Sequence, residues 1–307
     1  MLEGIITKGI GGFYYVKTEK GIYETRARGL FREDNIKPLI GDRVLFREID
    51  SDKTGYIENI FERKTELKRP NVANVTQAVI VASIKDPVPN LWLIDRFLVL
   101  AEEEDINIIL VINKVDLDNN LFIDRICETY KKAMYKVVLT STKTGAGIEE
   151  LKEILKDNIT VFAGPSGVGK SSLLNKIQPD LGLKTGDISN KTKRGKHTTR
   201  HTELLELQSG GYVLDTPGFS SLNLDFIERK EDLKYYFKEI EECSNLCKFS
   251  SCLHISEPGC QVRKLVGSGD IGKTRYENYL SFINEINNIR RYWNGKDITI
   301  CIIIRFQ

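Results

Sequence analysis

The sequence predicts a multidomain protein with three parts in series: an N-terminal β-barrel of the OB-fold type, a central α/β domain on a mostly parallel sheet, and a helical C-terminal domain that binds a metal. Three observations carry this. The first 65 or so residues break into five short strand-like segments; from about residue 77, apolar runs alternate with amphipathic stretches; and four of six cysteines crowd into 243–260. The boundaries fall at 1–68, 69–222 and 223–307.

In the first part, EGIITK, FYYVKTE, GIYETRARG, DRVLFREI and GYIENIFER are punctuated by glycines at 11–12, 21, 41 and 55. Short strands with turn residues between them are the mark of a small antiparallel barrel, and the irregular LFREDNIKPLIG before the fourth strand suits the OB type, although other small barrels fit nearly as well. A linker, ERKTELKRPNVAN, follows. QAVIVAS, NIILVIN, YKVVLTS and NITVFAG are then continuous apolar runs, as expected of strands buried on both faces. Helical patterns near 90–104, 119–133 and 147–156 lie between them, so the rhythm is βα and the sheet parallel. After the strand GYVLD, charged helical pattern runs over 225–242, and a last helix is expected near 270–291. The ending, DITICIIIRFQ, is a bare apolar run with no physical account, either an edge strand or a non-native extension.

Composition excludes several classes. With 41% hydrophobic and 29% charged residues the chain reads as soluble and globular. No segment reaches the roughly 18 apolar residues of a membrane span, and the N-terminus lacks a signal peptide's layout, so a cytoplasmic monomer with no membrane partner is expected. Charge is unevenly spread. Residues 184–201 hold six Lys/Arg (Lys184, Lys191, Lys193, Arg194, Lys196, Arg200) against Asp187 alone, and 261–296 hold seven against three acidic residues. Such patches suit a polyanionic partner, or are simply solvated surface.

Gly164-Pro165-Ser166-Gly167-Val168-Gly169-Lys170-Ser171 matches GxxxxGK[ST], and it follows the strand ITVFA and opens the helix SSLLNKI. The glycines let backbone N–H groups wrap phosphates, Lys170 charges the β/γ oxygens, Ser171 ligates Mg²⁺, and the helix N-terminus, with Ser172 next in line, adds its dipole. Asn113-Lys114-Val115-Asp116 ends the strand NIILVI. A carboxylate there accepts from guanine N1–H and its N2 amine, with the Asn amide in reach of the base edge; adenine leaves the Asp unpaired, a mismatch that discriminates by about 10⁴. Ser141-Thr142-Lys143 after YKVVLT would close the base pocket through backbone N–H groups, unless it is an ordinary strand-to-helix turn. Asp215-Thr216-Pro217-Gly218 follows YVL: Asp215 is expected to hold Mg²⁺ through water and the Gly218 N–H to sense the γ-phosphate. Upstream, in Lys196-His197-Thr198-Thr199, one threonine completes the Mg²⁺ shell; the predicted ligand is Thr199, with Thr198 the open alternative.

These motifs come in an unusual order. Common small GTPases run P-loop, threonine switch, DxxG, NKxD, SAK; here the base-reading motifs (113, 141) precede the P-loop (164), and the threonines and DTPG (215) come last. The central domain is therefore a circularly permuted P-loop GTPase. Every motif loop lies at a strand C-terminus of one sheet, so rejoining the ends changes chain order and not site geometry. Phe219 stands where many GTPases place a water-orienting Gln; intrinsic hydrolysis should be slow, with His197 or a partner organising the water. Two rivals remain, a non-catalytic RNA-binding assembly factor switched by GTP occupancy and a small-molecule P-loop kinase, the latter disfavoured by NKVD.

In the C-terminal part, Cys247-x4-Cys252-x-His254-x5-Cys260 supplies three thiolates and an imidazole, a closed tetrahedral set with no open position, so one structural zinc is expected. Cys243 lies in the preceding helix as a spare, and Cys127 and Cys301 read as packing residues.

Together RPNVANV, NKVD, STKTG, GPSGVGKSSLLN, GKHTTRHTEL, DTPGF and CKFSSCLHISEPGC resemble the ribosome small-subunit-dependent GTPase family, called RsgA or YjeQ, over nearly the whole chain. The resemblance implies an OB-fold, a permuted GTPase domain and a zinc-binding C-terminal domain. It also implies late maturation of the small (30S) subunit, contact with 16S rRNA, and hydrolysis of GTP to GDP stimulated by the subunit. Two features depart from the family pattern: Thr76 in place of an expected Asp after VANV, and the ICIIIRF tail.

Overall fold

The computed structural model describes residues 1–28, 37–50, 52–68, 70–118, 122–183, 202–214 and 222–293. Strands β1 (Leu2–Ile10), β2 (Phe13–Thr18), β3 (Gly21–Ala27), β4 (Arg43–Asp50) and β5 (Thr54–Ile60) close a barrel in the order β1-β2-β3-β5-β4. The β3–β5 pair is parallel, and β1 pairs antiparallel with β4 from Leu2↔Phe46 to Ile5↔Arg43. That order with one parallel pair is the OB-type Greek key, and closure leaves no free edge. Alternation along the strands turns Ile6, Val16, Tyr23, Val44, Phe46 and Ile57 inward as the barrel core.

The segment read as a linker holds a short hairpin, β6 (Glu66–Lys68) with β7 (Asn71–Ala73), and Val72 bridges back to Ile40. Fully buried Asp42 fixes this corner: it accepts from Leu39 N at 2.7 Å and from Arg63 Nε and Nη2 at 2.7 and 2.9 Å. A buried carboxylate needs such a bidentate partner to offset its desolvation. The polar run hid the hairpin because its strands are only three residues long.

The central sheet runs β10 (Lys136–Thr140), β9 (Asn107–Asn113), β8 (Gln77–Ser83), β11 (Ile159–Ala163), β13 (Tyr212–Leu214), β12 (Leu204–Glu206). β8 pairs in parallel with β9 and β11, and β11 with β13; β12 is antiparallel on β13. All seven residues of β8 and all five of β11 are buried, as the unbroken apolar runs predict. Thr76 has a structural role at their start: its hydroxyl donates to Asn158 Oδ1 at 2.8 Å and accepts from Ile159 N.

Helices α1 (Leu91–Glu102), α2 (Phe122–Lys132), α3 (Ile148–Leu155) and α4 (Lys170–Ile177) alternate with these strands. By contacts the barrel and sheet form one compact unit with α3 and α4. α1 and α2 group instead with the C-terminal elements, among them α5 (Lys238–Ser244), α6 (Gln261–Ser268) and α7 (Lys273–Trp293). The core of this second unit gathers Val99, Phe237, Ile240, Tyr279, Phe282 and Ile286, with Phe237 edge-on to Tyr279 at 5.3 Å. Arg275, buried, holds it together by donating to both oxygens of Glu239 (2.7 and 2.9 Å) and to Asp95 Oδ1 on α1 (2.8 Å). Asn278 meets the other Asp95 oxygen at 2.6 Å. No helix among the described residues is long and apolar enough to cross a membrane.

Candidate nucleotide site and metal centre

The loop 164–169 joins β11 to α4 at the strand C-termini. Gly164 has φ 137°, and a Cβ there would lie 2.1 Å from Val81 O; Gly169, at φ 97°, is the N-cap of α4. A side chain fits neither position, which is why the motif needs glycine at both. Val168 turns into the sheet's core between them. Lys170 Nζ donates to Gly164 O and Pro165 O, both at 2.7 Å. Burial pulls its pKa down to about 8, the expected direction for an ammonium withdrawn from water.

Asn113 reaches the same loop from β9. Its side chain is 1% exposed; Nδ2 donates to Val168 O at 2.8 Å, and Oδ1 accepts from Thr140 Oγ1 at 3.1 Å. One bond at each end of the amide thus joins three loops. A Cβ on Gly169 would meet Nδ2 at 2.5 Å, so the glycine also makes room for Asn113. Lys114 stands in the left-handed region (φ 63°), and its Nζ donates to Gly167 O at 2.8 Å and to Asp86 O. Asp116 lies exposed on the 3₁₀ turn Val115–Leu117, where its Oδ1 accepts from Ser141 Oγ at 2.5 Å. Ser141 is buried, its N–H bonded to Ala146 O and its Oγ accepting from Thr144 N. Thr142 and Lys143 follow it on the rim. The loops at 113–116, 140–146 and 164–169 therefore form one hydrogen-bonded assembly. His197, Thr198, Thr199, Asp215, Gly218 and Phe219 lie outside the described residues, as do the basic segment 184–201 and the tail 297–307.

Sequence reasoning missed Thr140 and the Asp86 carbonyl. A lone threonine ending an apolar strand beside STKTG was a usable signal for the first; a backbone acceptor leaves none.

In the C-terminal unit, Cys247, Cys252, His254 and Cys260 bring their donor atoms within 4.8 Å of one another. Bonds of about 2.3 Å to sulfur and about 2.0–2.1 Å to nitrogen separate tetrahedral donors by about 3.5–3.8 Å. His254 Nδ1 lies 3.5 Å from Cys247 Sγ and 3.5 Å from Cys260 Sγ, and the two sulfurs are 4.0 Å apart. The four groups thus could hold a metal ion as they stand. Gln261 N and Arg263 N donate to Cys247 Sγ and Cys260 Sγ, and Cys260 caps α6, so the helix dipole also favours thiolate there. Burial pushes the Cys252 thiol up to about 12, a preference that a bound divalent cation reverses. Burial also lowers the His254 pKa, keeping the imidazole neutral and its lone pair available. Glu257 shapes the knuckle by accepting from Leu253, Ile255 and Ser256 N–H groups, and Tyr276 donates to His254 O at 2.6 Å. Cys243 stays outside the cluster, its Sγ bonded to Glu239 O on its own helix, and Cys127 is buried.

A family model described as RsgA GTPase matches residues 60–225, one described as RsgA N-terminal domain matches 3–57, and one described as 50S ribosome-binding GTPase matches 159–295. A curated relative from Geobacillus, a small ribosomal subunit biogenesis GTPase RsgA, is 52% identical over 289 residues, covering 93% of this chain and 98% of its own. The crystal structure of YjeQ from Thermotoga maritima superposes with a TM-score of 0.80 at 41% identity, covering 93% of this chain and 98% of that one. That of YloQ, described as a circularly permuted GTPase, gives 0.79 at 42%, covering 94% and 96%.

Proposed function

The chain belongs to the RsgA GTPase family, and on that premise we propose how it works on the small ribosomal subunit. It is a GTPase of small-subunit biogenesis, hydrolysing GTP to GDP and phosphate. The observation that carries the reading is the stitching of NKVD to the P-loop through Asn113–Val168 and Lys114–Gly167, which brings motifs in permuted order together.

Asp116 reads the guanine N1–H and N2 amine, and the 141–143 turn closes over the base. The N–H groups of 164–169 and the start of α4, with Ser171 and Ser172, take the phosphates. Lys170 leaves its two carbonyl acceptors for the β/γ oxygens. Ser171, a switch threonine (Thr199, or Thr198) and Asp215 through water would hold magnesium, whose charge neutralises the β/γ oxygens. Gly218 N–H receives the γ-phosphate. Water attacks the γ-phosphorus, the bond to the β–γ bridging oxygen breaks, and GDP carries the electron pair away. The phenyl ring of Phe219 orients no water, so His197 or a group from the subunit does, and the intrinsic rate is slow.

The Cys₃His set holds one structural zinc, the metal that three thiolates and an imidazole at tetrahedral spacing select. The barrel, the basic segment 184–201 and the zinc-binding part contact the 30S subunit and its 16S rRNA, and the protein works as a cytoplasmic monomer. The test is GTP turnover titrated with isolated small and large subunits. Stimulation by the small subunit alone is expected; turnover that neither subunit raises favours the rival, a GTP-switched binding factor without catalysis.

A further inference from the structure

The chain that leaves β8 belongs to none of the sequence motifs, yet it lies against two of them. Ser83 ends β8 opposite Asn113 in the ladder with β9, and it is 1% exposed. Ile84 N donates to Asn113 O at 3.0 Å, and from Lys85 to Val88 the chain is exposed. Among the described residues, two side-chain hydrogen bonds fasten this exposed stretch. Ser83 Oγ donates to Pro87 O at 2.7 Å, and Lys114 Nζ donates to Asp86 O. Pro87 faces the P-loop: a Cβ on Gly167 would lie 3.6 Å from its Cδ.

Lys114 depends on this loop in a particular way. Its Nζ donates to two backbone carbonyls, Gly167 O in the P-loop at 2.8 Å and Asp86 O in the loop after β8. A lysine stem has much rotamer freedom to lose, so its ammonium stays in place only while fixed acceptors surround it. The Gly167 carbonyl sits in a loop whose course its glycines set. The Asp86 carbonyl sits on a chain that burial does not hold, since Lys85, Asp86, Pro87 and Val88 all face water. What holds it is the next carbonyl along, pinned by a hydroxyl on the buried end of β8. If that pin is lost, Asp86 O drifts from Lys114, and the ammonium turns to water and slackens its hold on Gly167.

We propose that Ser83 is a positioning residue of the nucleotide site: by fastening the 84–88 loop it keeps the Asp86 carbonyl on Lys114 and so slows release of guanine nucleotide. The inference rests on the reading of 113–116 and 164–171 as the guanine-nucleotide site. Ser83 acts only through Lys114, so its removal should weaken GDP and GTP alike and should matter only while the ammonium is present.

The experiment times release of methylanthraniloyl-GDP by stopped flow from wild type, Ser83→Ala, Lys114→Met and the double variant, with the melting temperature as the check on folding. Ser83→Ala is expected to speed release about three- to tenfold, the scale of one neutral hydrogen bond. The double variant is expected to release GDP at the rate of Lys114→Met alone, because a residue that acts through another is silent once that other is gone. A Ser83→Ala rate no faster than wild type overturns the proposal. So does a double variant in which Ser83→Ala keeps most of its own factor, since the serine would then act independently of Lys114. If Ser83→Ala does not fold, Ser83→Cys, which keeps a side-chain group of similar shape with a weaker donor, is read by the same criteria. If Lys114→Met binds too weakly to time, Lys114→Gln takes its place. Asp116→Asn and Lys170→Ala run alongside. Unchanged GDP release in both sinks the reading of the site and this proposal with it, whereas faster release there beside a wild-type rate in Ser83→Ala sinks the role of Ser83 alone.

Discussion

Replacing Asn113 by Ala removes the side chain that joins the base-reading loop to the P-loop. The change leaves two partners without their bonds: the Val168 carbonyl, in a residue 1% exposed, and the Thr140 hydroxyl, in a residue 0% exposed. An unmet buried polar group costs about 1–3 kcal/mol. The Thr140 hydroxyl can rotate toward another acceptor and the shortened side chain admits water near Val168, so only the lowest quarter of the combined range of about 2–6 kcal/mol applies. That is about 2–3 kcal/mol, or roughly 30–150-fold in the population of the binding-competent loop. Because the loss falls on loop geometry and not on a nucleotide contact, GDP and GTP should weaken by the same factor. Titration calorimetry with GDP, GTP and 7-deaza-GTP, which lacks the N7 acceptor of the guanine edge, reads this directly. The ratio of GTP to 7-deaza-GTP affinity should be the same in wild type and Asn113→Ala. A ratio that stands well above one in wild type and collapses to one in the variant refutes the reasoning, since the amide would then be reading the base.

Three further outcomes are expected. Asp116→Asn should lower GTP affinity by about 100-fold or more and turn preference toward xanthosine triphosphate, measured by competition; unchanged guanine preference counts against Asp116 as the base reader. Lys170 titrates near 8 without nucleotide, and phosphates beside it raise that value, so binding takes up a proton only above pH about 8. GTP affinity should therefore be flat in Lys170 terms below pH 8 and fall by up to about tenfold per unit above it, a fall that Lys170→Met, already weak, should lack. Cys252→Ala should release the metal, seen by elemental analysis, and lower the melting temperature of the C-terminal unit while GDP still binds, because the nucleotide loops take no residue from the cysteine cluster.

Read alone, the sequence determined what is local in the chain. The P-loop, NKVD and the Cys-x4-Cys-x-His-x5-Cys set are contiguous or nearly so, and their chemistry dictates residue type at fixed spacing. Unbroken apolar runs marked β8, β9 and β11, and their order against the motifs revealed the permutation. Tertiary structure decided the partners, because a side chain's hydrogen bond depends on which distant backbone the fold sets beside it. Asn113 donates to Val168, 55 residues away, a partner the sequence had no means of naming. Arg275 finds Asp95 at a separation of 180 residues, and Lys8 finds Glu203 at 195. Each is an ordinary charged residue until packing puts it at hydrogen-bond distance from an opposite charge. The motifs fix which atoms do the chemistry, and the long-range pairs fix where those atoms stand.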